Sequence, residues 1–238
     1  MIAKTINEYI AEQRNVERKK SGKFSVSDAG RCHLMRYWKR QEKPTTDEPD
    51  ERAFRVFQVG HLFHEWIQHI LEKQNLLKMK EFVVEDEHRK GLVDAICTYE
   101  DKTILYDFKT VHSRKFHYMR QAEVDAPQDL HYCLQALTYE SMLPFEVDSV
   151  RIAYISKDDL CIEELEVPDF SMELTDDWTK LITCWTYQQE PIAKPMDWEC
   201  GYCSYRSGCE QKIVKEPKTR KKKDFSQREK LEVKDADL

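Results

Sequence analysis

The succession of hydrophobic periods along the chain predicts a mixed α/β domain, with one central sheet flanked by helices. Three observations carry that expectation. Residues 54–77 place Phe57, Leu62, Phe63, Trp66, Ile67, Ile70 and Leu71 three or four positions apart, the spacing of a long amphipathic helix. Short segments rich in Val, Ile, Phe and Tyr follow at 81–87, 91–99 and 103–110, the last two joined by Glu100-Asp101-Lys102 as an antiparallel hairpin. Helical spacing returns at 129–142 with Leu130, Leu134, Leu137 and Met142, ahead of two more strand-like segments at 148–156 and 160–167.

The remaining elements fit around these. Residues 1–20 are charged and amphipathic, which predicts a helix and not a secretory signal. Ser25-Val26-Ser27-Asp28 offers side-chain oxygens to the free amides of a first turn, so a helix is expected from there to about Gln41. The stretch 43–50, with two prolines and several acids, is a loop, and a polar stretch runs up to Pro127. Residues 172–189 predict a last helix, after which Pro191 and Pro195 lead into a cysteine-rich loop. From about residue 215 the chain is highly charged with little to bury, which predicts disorder. The expected division is an N-terminal helix at 1–23, one folded domain at 24–212 and a charged tail at 213–238.

With 40% apolar and 34% charged residues, the chain has material for one core and a wet periphery. No run approaches the roughly 20 apolar residues of a membrane span, so a soluble protein of the cytoplasm is expected, or of the host cytoplasm if phage-encoded. The formal net charge of −6 is unfavourable for nucleic-acid binding, but binding depends on local patches. Basic residues gather at 14–23, 31–40 and 215–223. Within 31–40, Arg31, Arg36, Tyr37 and Trp38 can follow a phosphate backbone and stack a base, or equally form a solvated helix face with Trp38 in the core. The run 215–223 can add affinity for DNA, dock a partner or simply be a soluble tail.

The hairpin holds the first chemical signal. Side chains alternate along a strand, so Asp107 and Lys109 share a face while Phe108 points to the other, and Asp94 lies on the neighbouring strand. Two such carboxylates, with the Phe108 carbonyl, form a hard-oxygen set for Mg²⁺ or Mn²⁺. A lysine beside them can neutralise charge on a phosphoryl group. An ordinary cross-strand ion pair has the same sequence.

The cysteines supply the second. Cys97, Cys133, Cys161 and Cys184 are isolated among apolar neighbours and are expected to be buried thiols. Cys200, Cys203 and Cys209 fall within ten residues, close enough to repel and oxidise unless a metal holds them. Structural sites take four ligands, and Cys32 is the candidate for the fourth. On spacing alone, zinc and an iron–sulfur cluster are both open.

Gly91-x-x-Asp94 followed by Asp107-Phe108-Lys109 resembles the core of the PD-(D/E)xK nuclease superfamily. Val93 stands where that motif has its proline, a substitution the family's RecB-like branch tolerates. Two further motifs resemble that branch: Gly60-His-Leu-Phe-His64 upstream and Gln135-Ala-Leu-Thr-Tyr139 downstream, the latter on one helical face. The resemblance spans roughly residues 24–210. It implies a restriction-endonuclease-like core in which His64, Asp94, Asp107 and the Phe108 carbonyl hold the metal. Lys109 then acts at the scissile phosphate, and Gln135 and Tyr139 line the site. It favours His64 over His61 as the ligand, while Glu85 or Glu87 is a further candidate carboxylate.

One cysteine before the core and three after it is similar to the arrangement in iron–sulfur nucleases of this branch, among them CRISPR-associated exonucleases, AddB-type domains and phage exonucleases. That implies a [4Fe–4S] cluster on Cys32, Cys200, Cys203 and Cys209 closing the domain. It further implies an exonuclease on single-stranded or free-ended DNA, commonly 5′→3′, in recombination, end processing or CRISPR spacer trimming. A helicase, recombinase or integrase is the implied partner, because the chain has no phosphate-loop motif of its own. Two alternatives stand beside it: a DNA-binding or assembly subunit with incidental cleavage, and a zinc-stabilised nuclease without iron.

Overall fold

The computed structural model describes residues 1–14, 21–121 and 129–213. The expectations for 15–20, for 122–128 and for the tail from 214 onward fall outside the described residues. In chain order the elements are α1 (Ile2–Arg14), β1 (Phe24–Ser25), α2 (His33–Arg40), α3 (Glu51–Lys73), β2 (Leu77–Glu85), β3 (Arg89–Tyr99) and β4 (Lys102–Val111). Then come α4 (Ser113–Gln121), α5 (Leu130–Ser141), β5 (Ser149–Ser156), β6 (Ile162–Glu166) and α6 (Ser171–Thr186).

All six strands form one mixed sheet. β3 pairs antiparallel with β2 and β4, β4 parallel with β5, and β5 antiparallel with β6. The short β1 pairs parallel with β3, Ser25 opposite Lys90. Lys90 also faces Glu85 of β2, so β1 and β2 take opposite edges of β3. β1 therefore shares an edge with β4, whose ladder to β3 stops at Ala95 and Tyr106. The next positions beyond that last pair are Asp94 and Asp107. The sheet forks there, and the fork positions the site.

The two faces are covered by different helices. On one, Ala95, Cys97, Phe108 and Ala153 pack against Ile67 and Leu71 of α3. On the other, Ile96, Leu105 and Ile152 pack with Phe116 of α4 and Ala136 and Tyr139 of α5. A second cluster joins α2 and α6 to the cysteine-rich loop through Tyr37, Trp38, Trp178, Leu181 and Tyr205. Within it, Arg36 is buried, its Nη1 donating to both oxygens of Asp177 at 2.8 Å while the guanidinium lies 4.2 Å from the Trp178 ring centre.

Burial pushes the Asp177 pKa up, but the His33 bond and the Arg36 charge outweigh it and leave the carboxyl below the usual range. A carboxyl with a depressed native pKa adds stability above its unfolded pKa of about 4, and that stability is lost as pH falls through the native value. Acid titration of stability is therefore expected to show a loss beginning below about pH 4 that Asp177→Asn removes, measured by denaturant midpoint against pH.

The sequence expectations meet the structure unevenly. The hairpin, the helix at 129–142 and the last two strands appear close to their expected bounds. Ser25-Val26-Ser27-Asp28 opens a 3₁₀ turn at Val26–Asp28 and makes no side-chain cap, and α2 starts only at His33. α4 forms within the polar stretch; its sequence SRKFHYMRQ buries Phe116 and sets Met119 against the same core, too few apolar positions to stand out among its charges. α3 has the expected length, but Phe57, Leu62, Trp66 and Ile70 are exposed, because the sheet receives only the flank of the helix that carries Ile67, Gln68 and Leu71.

Arg36, Tyr37 and Trp38 do not form a nucleic-acid surface: all three are buried, Tyr37 against Trp185 and Trp38 against Tyr205. The amphipathic pattern of α2 records a contact with α6, not a wet face. Of the four isolated cysteines, Cys97 is buried, while Cys133, Cys161 and Cys184 are half-buried. Among the described residues no helix is long and apolar enough to cross a membrane.

The β3–β4 turn carries positive φ at both central residues, 48° at Glu100 and 63° at Asp101. That is the type I′ geometry that Asn-Gly adopts with least strain. Replacing the pair by Asn-Gly is expected to raise stability by about 1 kcal/mol, read as a shift in denaturant midpoint at constant m-value.

Candidate active site

Four elements converge on the fork. α3 starts at Asp50, whose carboxylate accepts from the Ala53 amide at 2.7 Å, and runs across the sheet to bring His64 over β3. His64 Nδ1 lies 3.4 Å from Asp94 Oδ1, and its ring meets Phe108 edge-on at 5.7 Å. One turn later, buried Gln68 donates from Nε2 to the Asp94 carbonyl at 2.9 Å, taking a backbone acceptor for which the β2–β3 pairing has no partner. The other Asp94 oxygen, Oδ2, accepts from the Phe108 amide at 2.8 Å. The carboxylate thus spans the fork from β3 to β4.

Asp107 and Lys109 share a face of β4, as alternation requires, opposite α5. Asp107 is 1% exposed. Its Oδ1 accepts from Gln135 Nε2 at 3.0 Å, and its Oδ2 lies 2.7 Å from Lys109 Nζ. Lys109 Nζ in turn donates to Gln135 Oε1 at 3.0 Å, so the Gln135 amide bridges acid and lysine. Gln135 also donates to the Tyr139 hydroxyl at 3.2 Å, one turn along α5. A Cβ on Gly91 would meet Tyr139 Cε1 at 2.5 Å and Val26 Cβ at 2.8 Å, so only glycine lets β3 pass beneath that ring.

Electrostatics follow from burial. Removal from water pushes the Asp107 carboxyl up to about 6, opposed by Lys109 and reinforced by Asp94. Burial works against the Lys109 charge, but Asp107 and Asp94 outweigh it and raise its pKa. Burial likewise opposes a proton on His64, and the bond and charge of Asp94 overcome that, leaving its pKa above the usual histidine value. Two acids, an imidazole and a confined ammonium thus share one low-dielectric pocket.

Of the other acids considered, Glu85 is held by Lys23 at 2.9 Å and Lys90 at 2.8 Å, and Glu87 lies 3.9 Å from His88. Neither is paired with the fork residues. His61 is exposed on α3.

The cysteine-rich loop forms a separate centre. Cys32, Cys200, Cys203 and Cys209 line one cavity together with Trp38 and Glu199. None of the four is in a disulfide, and burial raises the pKa of Cys32 and of Cys203. Backbone amides approach two of the sulfurs: Tyr205 N–H at Cys203 Sγ, 3.5 Å, and Ile213 N–H at Cys200 Sγ, 3.4 Å. Glu199, buried on the turn Glu199–Tyr202, accepts from the Cys32 amide at 2.9 Å and from Arg31 Nε at 3.3 Å. Asp47 closes the other side of the loop through the Ser207 amide and hydroxyl at 2.6 and 2.7 Å. Those bonds and the Thr46 hydroxyl hold the Asp47 carboxyl down at about 2.

Donor chemistry fits a divalent cation at the fork and a thiolate-bound metal at the loop. Asp107 Oδ2 is buried with the Lys109 ammonium at 2.7 Å as its partner, an anionic oxygen held inside the fork. Among the described residues, no three His, Cys, Asp or Glu side chains stand close enough to enclose a metal ion as they are. His64 and Lys109 occupy the carboxylates instead.

No family model matches the sequence, and no curated protein matches it. Among solved structures, the crystal structure of SSO0001 aligns with a TM-score of 0.55 at 20% identity, covering 90% of this chain and 98% of that one. This chain has the SSO0001 fold. An alkaline exonuclease from Laribacter hongkongensis aligns with a TM-score of 0.48 at 9% identity, over 70% of this chain and 89% of that one.

Sequence reasoning did not find Gln68 or Glu199. Gln68 lies one helical turn after His64, and that i, i+4 spacing is the signal that could have marked it. Glu199 adjoins Cys200, but nothing in sequence tells a buried acid from a solvated one. Gln68→Leu is expected to leave the Asp94 carbonyl without its donor and to reduce metal affinity by roughly 10–100-fold, measured by calorimetric titration with Mn²⁺.

Proposed function

We propose that the chain is a metal-dependent deoxyribonuclease, acting on single-stranded or free DNA ends. The observation that carries the reading is the convergence of His64, Asp94, Asp107, Lys109 and Gln135 where β3 and β4 part. A structural ion pair has no use for an amide bridging acid and lysine, or for a histidine seated on the second acid.

His64, Asp94, Asp107 and the Phe108 carbonyl would hold Mg²⁺ or Mn²⁺. When bound, that ion supplies a polarised phosphoryl oxygen and an acidified water. The chain's own residues do the rest. His64 gives up its proton to act as a ligand. Lys109, held between Asp107 and Gln135, presents a fixed positive charge to the scissile phosphate without reorganisation. Tyr139 fixes Gln135 from behind. We further propose that the four cysteines hold a [4Fe–4S] cluster that ties the segment before the core to the segment after it. Support comes from their shared cavity and the amides directed at two sulfurs. On this reading unwinding falls to a partner helicase, recombinase or integrase.

End-labelled single strands with Mn²⁺ test the proposal. Product ladders from either labelled end report polarity, with 5′→3′ degradation expected. Absence of any metal-dependent cleavage by cluster-replete protein overturns it.

A further inference from the structure

A row of aromatic rings connects the two centres. Tyr132 sits on α5 three residues before Gln135, and its ring centre lies 4.8 Å from Lys109 Nζ. The neighbouring His131 ring is 3.9 Å from it, Trp198 is 5.4 Å beyond His131, and Tyr202 is 6.3 Å beyond Trp198 on the turn that bears Cys200. His131 is 7% exposed and acts as the spacer, whereas Trp198 is 38% and Tyr202 81% exposed. A tyrosine that open adds nothing to the core. Cations accompany the row: Lys115 Nζ stands 4.7 Å from the Tyr132 ring centre and the Arg31 guanidinium 5.8 Å from that of Trp198. Asp129 pairs with Lys115 at 2.7 Å and keeps that ammonium beside the ring.

Tyr132 is half-buried against the core, so the open rings are Trp198 and Tyr202. Open rings beside cations are the arrangement that receives a single strand, since bases stack on aromatic faces and cations follow phosphates. A duplex keeps its base faces covered and gains nothing from such a row. We propose that Tyr132, Trp198 and Tyr202 form a stacking track for single-stranded DNA, running from Lys109 to the outer side of the cysteine loop. The inference deepens the nuclease reading and rests on it for the identity of the ligand. The track guides a strand into the fork without regard to sequence, because every base offers a π-face.

The test is fluorescence anisotropy of a labelled oligothymidylate of about 16 nucleotides, with full-length, cluster-replete protein in EDTA, so that binding is read without cleavage. Tyr202→Ala is expected to weaken binding about tenfold, and Trp198→Leu by a similar factor, while affinity for a duplex of equal length stays unchanged. Both variants are checked for metal content and melting temperature; Tyr202→Ala decides the matter should Trp198→Leu disturb the loop. Unchanged single-strand affinity in a folded Tyr202→Ala protein overturns the track. Equal weakening toward duplex also overturns it. Track-dependent binding by a protein that never cleaves leaves the track standing and removes the nuclease reading instead.

Discussion

Asp107→Asn is expected to lower metal-dependent strand cleavage by at least roughly 10³-fold, because it removes the buried anionic oxygen that the cation needs while keeping the side chain's shape. The amide oxygen still accepts from Gln135, so the geometry of α5 against β4 survives. What changes is charge. Lys109 loses a partner at 2.7 Å in a buried setting, and breaking such a pair costs about 3–5 kcal/mol when the other charge is left behind. The variant is therefore expected to melt earlier as well as to fail at cleavage.

The double variant Asp107→Asn/Lys109→Met separates these effects. With both charges gone it is expected to regain most of the lost stability, since an apolar replacement of a buried pair is often neutral. Cleavage is expected to stay abolished. Recovery of stability with cleavage within tenfold of the unsubstituted protein would reduce the pair to an ordinary ion pair and remove catalysis from the fork.

How much of this was legible beforehand differs between fold and site. Asp107 and Lys109 were readable as residues of one face because strand alternation is a local rule, and the structure keeps it. That His64 reaches Asp94 was readable only through spacing shared with a known family. Sequence alone does not say that the β3–β4 ladder stops at Ala95, and without that fork the two acids are merely neighbours in a sheet. Gln68 shows the same limit, for its role depends on a carbonyl on the β2 side of β3, where the pairing passes from Lys80–Ala95 to Phe82–Val93 and Glu81 sits at φ 48°.

The misreadings share one physical cause. Periodicity reports that a helix has an apolar stripe but not what covers it. In α2 the stripe and even Arg36 are buried, because α6 supplies Asp177 and Trp178 from 140 positions away or more. In α3 the stripe is broader than the sheet it meets, so Leu62 and Trp66 stay exposed. The basic aromatic run at 31–40 stayed open between a DNA surface and a helix face with Trp38 in the core for the same reason. The aromatic row actually available to a strand is assembled from α5 and the cysteine loop, which no window of sequence contains.

The cysteine loop is where long-range closure has its largest consequence. Glu199 and Cys32 are joined across 167 positions, so the metal proposed for the four cysteines would close nearly the whole domain into one loop. By chain entropy, closing a loop of that size contributes about 4–5 kcal/mol, a large share of a domain's net stability. Cys32→Ser is accordingly expected to lose the bound metal and to lower the unfolding free energy by that amount, read as a fall in denaturant midpoint, whereas Cys184→Ser, outside the cavity, does neither.

The two cofactor readings diverge in the same experiment. Anaerobically purified protein is expected to be brown and to carry close to four iron atoms per chain if a [4Fe–4S] cluster sits there; a colourless protein holding one zinc ion replaces the cluster with a tetrahedral site on the same sulfurs. Retention of metal and midpoint in Cys32→Ser overturns both, and leaves Glu199, Asp47 and their hydrogen bonds as the clasp. Those bonds are net contributions of about 1 kcal/mol each, more where charged. Only a metal gives the loop the far larger loss predicted for a single sulfur-to-oxygen change.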